Sequence, residues 1–152
     1  MWQRVQTLYL AIATVLIISM LFSNVGTVIG PEGQDTVRYS EKMSYLIFLI
    51  MTLMANAIAL FSFKARMLQM RVAMLSAILL LFFQIWLGIG FARFQLGIGM
   101  EENAAKMIFS FTAIFPVIAS ILDMLAARNI ALDEAMVQSA YRLRKAKRDR
   151  RK

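Results

Sequence analysis

Two apolar runs constrain this chain most strongly: about 43–63 and about 72–92, each free of charged residues and joined by a short basic stretch, Lys64–Arg71. A run of about 20 apolar residues is what a helix needs to cross roughly 30 Å of hydrocarbon. A connection this short forces the two helices into an antiparallel hairpin. Two further runs of similar length, about 5–25 and about 107–127, bring the expected number of spans to four. The chain is 60% hydrophobic with a mean hydropathy of +0.65, against about 45–50% apolar residues in soluble domains. The expected fold is an all-α integral membrane bundle of four helices, residues 1–127. Residues 128–152 form an amphipathic basic tail.

The first run follows only Arg4 and the α-amino group, as the core of a signal peptide would. It exceeds the usual 7–15 residues of such a core, and no clean small-x-small site follows, so it is read as a retained first span. Trp2 and Tyr9 suit one interface, and Tyr39, Tyr45, Trp86 and Phe91 the other. The loop at about 24–42 contains Pro31-Glu32-Gly33, which is turn chemistry, and has room for a small hairpin or a partner contact. The repeated Leu-Gly-Ile-Gly at 87–90 and 96–99 lacks the strand and the Lys-Ser/Thr of a phosphate loop, and is read as a fraying helix end. Pro116 falls mid-run and is expected to kink the fourth span, with Thr112 satisfying freed backbone.

Charge sets the expected orientation. Counting along the four-span arrangement, Arg4, Lys64, Arg66, Arg71, Arg128 and eight tail cations lie on one side. Arg38, Lys42, Arg93 and Lys106 lie on the other. The excess of Lys and Arg belongs on the cytoplasmic side, so both termini are expected there.

Neither histidine nor cysteine occurs. That removes disulfides, Cys/His zinc sites, His-ligated haem and Cys–His or Ser–His–Asp catalysis. No cofactor is expected and no catalytic residue is assigned. The twelve methionines are scattered, as packing residues are. Asn56, Gln84 and Asp123 are the intramembrane polar candidates. An ionisable group in hydrocarbon is expensive and marks a site by default. For Asp123 the ordinary reading is an ion pair with Arg128, Arg71 or Arg4, within snorkelling reach of water. For Asn56 and Gln84 it is a bond between helices.

In the tail, Leu132, Met136, Ser139, Leu143 and Ala146 recur at helical spacing. Arg144, Lys145, Lys147, Arg148, Arg150, Arg151 and Lys152 are candidates for contact with anionic lipid of the cytoplasmic leaflet, or with an acidic partner. Nucleic acid or a ribosome is less well supported, because Tyr141 is the tail's only ring.

The opening Met1-Trp2-Gln3-Arg4-Val5-Gln6-Thr7-Leu8-Tyr9-Leu10 resembles that of a Bacteroidota family of small four-helix inner-membrane proteins, catalogued as a domain of unknown function. That opening typically reads Met-x-Gln-Arg-Ile-Gln-Thr-x-Tyr-Leu. The stretch Asp133–Arg144 is similar to the family's closing signature, which often has Arg at the place of Gln138 and Asp at that of Tyr141. The resemblance implies a Gram-negative inner membrane and supplies no activity. Both marked ends fall on the cytoplasmic side, and Gln3, Arg4, Gln6, Asp133, Glu134 and Arg142 are expected to form one cluster there. The leading functional expectation is a non-enzymatic accessory or assembly subunit of a larger membrane complex. The alternative is a small oligomeric transporter or channel using Asp123 with Asn56 and Gln84.

Overall fold

In the computed structural model, residues 3–30, 33–96 and 106–149 are described. Four helices dominate: α1 Gln3–Leu21, α2 Met43–Phe61, α3 Arg66–Gln95 and α4 Phe115–Asp149. Three segments are long and apolar enough to cross a membrane: Met43–Phe61, Arg66–Gln95 and Phe111–Lys145. The apolar part of α1, Val5–Leu21, is shorter. Helix α1 packs on α2 and α4, and α3 packs on the same two, so the helices close into a ring of four.

The chain is not purely helical. Strands β1 Asn24–Gly30, β2 Gly33–Arg38 and β3 Lys106–Phe109 form an antiparallel sheet in the order β2-β1-β3. The first loop makes the hairpin, and β3 adds from the second loop, pairing Gly26 with Phe109 and Val28 with Met107. Every connection at this end of the bundle therefore enters one sheet. A Cβ on Gly26 would lie 2.6 Å from the Ile108 carbonyl oxygen, so only glycine lets β1 and β3 approach here. Gly33 has φ +136°, which side-chain-bearing residues rarely adopt.

Several boundaries move from expectation. Residues 24 and 25 leave the first helix for β1. Helix α3 begins at Arg66, so the connection between α2 and α3 shrinks to 62–65. Gly88 and Gly90 continue α3 instead of fraying from it, and Gly90 lies against the Tyr45 hydroxyl; the second Leu-Gly-Ile-Gly copy begins at the helix's C-cap, Leu96, and its last three residues lie outside the described residues. The start of the fourth run becomes β3 and a 3₁₀ turn, Phe111–Ile114. Pro116 consequently sits in the first turn of α4, where a missing N–H costs nothing, and makes no mid-helix kink. The Thr112 hydroxyl is not used for a kink either. It donates to the Asn24 carbonyl at 2.6 Å, tying the turn to β1.

The interior grades from bulky to small. Near the sheet, Ile17, Met20, Leu49, Leu80 and Phe83 pack with Tyr39 and Tyr45. Phe83 meets Tyr45 edge-on at 5.7 Å and Tyr39 at 6.1 Å. Both tyrosines are buried at this end of the bundle, and Tyr39 donates to the Thr112 carbonyl at 3.3 Å. Toward the opposite end, Ala59, Ala73, Ala126 and Ala127 surround Leu10. Small side chains let helices approach closely, and in lipid close packing replaces the hydrophobic drive between helices. The outward faces carry exposed Val15, Ile47, Phe82, Ile85 and Ile121 among many others.

Candidate functional site

The polar candidates resolve into two levels of the bundle. At the first level, Asn56 on α2 reaches diagonally across the ring to Asp123 on α4. Its Nδ2 lies 3.1 and 3.0 Å from the two carboxyl oxygens. Both residues are fully buried. Ser76 on α3 stands within electrostatic reach of the same carboxyl, although its Oγ makes no hydrogen bond of good geometry among the described residues. One turn away, the Ser120 hydroxyl donates to the Ala77 carbonyl at 3.0 Å, linking α4 to α3. Thr52 turns its hydroxyl back to the carbonyls of Phe48 and Leu49, both at 3.0 Å.

Periodicity explains the convergence. On α2, Tyr45, Leu49, Thr52, Asn56 and Ala59 repeat at three- and four-residue steps and form its buried stripe. On α3 the stripe is Gln69, Ala73, Ser76, Leu80, Phe83 and Leu87. Asn56 and Ser76 therefore face the axis at similar depth. The expected ion pair of Asp123 with Arg128 or Arg71 is replaced by this amide contact, and the Arg4 side chain lies outside the described residues. Snorkelling to water is likewise replaced, because the carboxyl faces the bundle interior, fully buried against Asn56. Gln84 is not brought to the pair. It is half-buried two turns further along α3, and its Oε1 is buried without a partner among the described residues.

The second level lies at the end away from the sheet. Gln6 Nε2 on α1 donates to Asp133 Oδ2 on α4 at 2.6 Å, joining residues 127 apart in sequence. Gln6 and Gln69 are both buried. Of the residues expected to cluster here, Gln6 and Asp133 are the pair joined by this hydrogen bond. Glu134 accepts from Gln138 within its own helix at 3.3 Å. Arg142, Arg144 and Lys145 are exposed. The side chains of Gln3, Arg4, Lys147 and Arg148 are outside the described residues, as are Arg150, Arg151 and Lys152.

Two features were not expected. Ser76 and Ser120 complete the buried polar level; their positions on the apolar stripes of α3 and α4 were the available signal. A groove of about 560 Å³ also opens beside Gln6, between α1, the end of α2 and the start of α3. No group of three or more carboxylates gathers to hold a metal among the described residues.

The sequence profile of the family described as "Domain of unknown function (DUF4293)" matches residues 2–143. No curated protein and no solved structure matches the chain.

Proposed function

We propose that this chain, which belongs to the DUF4293 family, is a non-enzymatic accessory or assembly subunit of an inner-membrane complex, with four spans and both termini in the cytoplasm. The observation that carries the reading is α4, which runs unbroken from Phe115 to Asp149. At 1.5 Å per residue it is about 52 Å long, well beyond the roughly 30 Å of hydrocarbon. Its C-terminal half leaves the bundle along the axis of the span. A helix so directed stands away from the bilayer and does not lie on it, which favours a protein partner over the lipid surface as the tail's contact. The tail is basic and also exposes Leu132, Met136 and Leu143, so a partner with an acidic rim and apolar centre suits it.

Helix α1 serves as the fourth span. Its predominantly apolar stretch, Val5–Leu21, extends about 26 Å, at the short end of what crosses a bilayer. It also reaches from the Asp133 contact to the residues next to β1, and its 19 residues equal those of α2. The cation asymmetry places the sheet on the outer side. The fully buried Asn56–Asp123 contact supports a lock between helices better than a conduction path, and Gln84 takes no part in it.

The test is purification from native membranes in mild detergent through an N-terminal tag, comparing the full chain with a chain ending at Met136. A stoichiometric membrane partner that the shortened chain loses is the expected result. A homo-oligomer of the full chain with nothing attached overturns the proposal and moves the transporter reading forward.

A further inference from the structure

The groove beside Gln6 has the chemistry of an amphiphile site. Leu8 and Ala11 of α1, Leu60 of α2 and Phe63 form its apolar walls. Its polar end is made by Gln6, Gln69 and Arg66. Lys64 does not line the groove itself, but its Nζ lies 6.0 Å from the centre of the ring of Phe63, which does. Helix α2 stops at Phe61, whereas α1 and α3 frame the space beyond it. The volume, about 560 Å³, falls within the roughly 300–1,000 Å³ of small-molecule sites.

From this geometry we infer that the groove is a binding site for one anionic glycerophospholipid of the cytoplasmic leaflet. The inference rests on the membrane orientation proposed above. Leu8 and Phe63 are 54% and 63% exposed and open the groove sideways to the acyl region. Arg66 offers a planar fork of N–H donors to the phosphodiester, and Lys64 adds a second cation. The buried amides of Gln6 and Gln69 face the glycerol ester region, and an acyl chain lies along Leu8, Ala11 and Leu60. No acidic side chain lines the groove among the described residues. The Asp133 carboxylate beside Gln6 already accepts from its amide at 2.6 Å. Apolar walls with Arg66 in the lining and Lys64 beside Phe63 complement a lipid with a negative headgroup and mismatch both a neutral lipid and an apolar peptide.

The experiment reads phosphatidylglycerol retained per chain, by lipid mass spectrometry after exchange into mild detergent. It compares the full chain with Lys64→Gln/Arg66→Gln, with Leu8→Trp, which fills the groove, and with Arg144→Gln/Lys145→Gln in the tail. About one retained lipid per chain is expected. Removal of both cations lowers retention about tenfold or more, Leu8→Trp lowers it similarly, and the tail variant retains as much as the parent. Equal retention after loss of Lys64 and Arg66, or loss only in the tail variant, overturns the site. Thermal melts show whether the cation variant folds; if it does not, Leu8→Trp decides alone. A chain that fails to fractionate with membranes refutes the membrane reading itself, separately from the groove.

Discussion

At the residue scale, the bundle depends on a few polar side chains that have no solvent to fall back on. Asn56→Ala leaves the Asp123 carboxyl buried without the amide that meets it. The expected loss is about 1–3 kcal/mol, read as a lower melting temperature in detergent. A double-mutant cycle of Asn56→Ala with Asp123→Ala is expected to show coupling of about 0.6–2 kcal/mol; independent effects would remove the lock. Glycines give a paired test. Gly26→Ala drives a methyl into the Ile108 carbonyl and should weaken the sheet. Gly88→Ala meets nothing within 4 Å on α3 and should stabilise by up to about 1 kcal/mol. Tyr39 carries a pH signature. Burial pushes its hydroxyl from the usual 10.0 up to about 12. The unfolded chain then loses this proton first, so the contribution is intact below pH 10 and fades as pH rises toward 12. Spectrophotometric titration of the parent and Tyr39→Phe should differ by one late-ionising phenol. A difference at pH 10 would place Tyr39 in water.

At the element scale, the decisive feature is the continuity of α4. No glycine or proline follows Pro116 within it, so nothing local interrupts the helix at the membrane edge. Spin labels at Leu132 and Leu143 should lie about 16 Å apart along the axis, with residue 143 farther from the bilayer. Equal depths for the two labels would lay the tail on the lipid and remove the support for a docking arm. Sequence reading located α2 almost to the residue, because the charge-free run and the helix coincide. The strand residues Met107, Ile108 and Phe109 fall within the expected fourth span, because three apolar residues carry the same signal in a strand as at the start of a span. Sequence reading also took Pro116 as a kink, since the true start of α4 depends on β3 pairing with β1.

At the scale of the whole molecule, the sheet gathers the α1–α2 and α3–α4 connections, while the opposite end holds the groove, the Gln6–Asp133 contact and the departing tail. The chain contains no cysteine, so single cysteines report orientation cleanly. Gln34→Cys on β2 should react with an impermeant maleimide from outside intact cells, and Ser139→Cys only after permeabilisation. The reverse pattern would invert the proposed topology and move the groove to the outer leaflet.

Composition and run length alone carried the helical class, the three long apolar segments and the hairpin of α2 and α3. These follow from local quantities, the apolarity and length of a continuous stretch, which need no partner to be evaluated. The amphipathic repeat of the tail was legible for the same reason. Pairing was decided only in three dimensions. Asn56, Ser76 and Asp123 come from three helices, and which polar group meets the carboxyl depends on how those helices rotate about their axes. Strand β3 exists because residues about 80 positions away offer it an edge. The groove exists because α2 ends before its neighbours. Each is a relation between distant segments, set by packing and by satisfaction of buried polar groups, and one-dimensional periodicity holds no record of it.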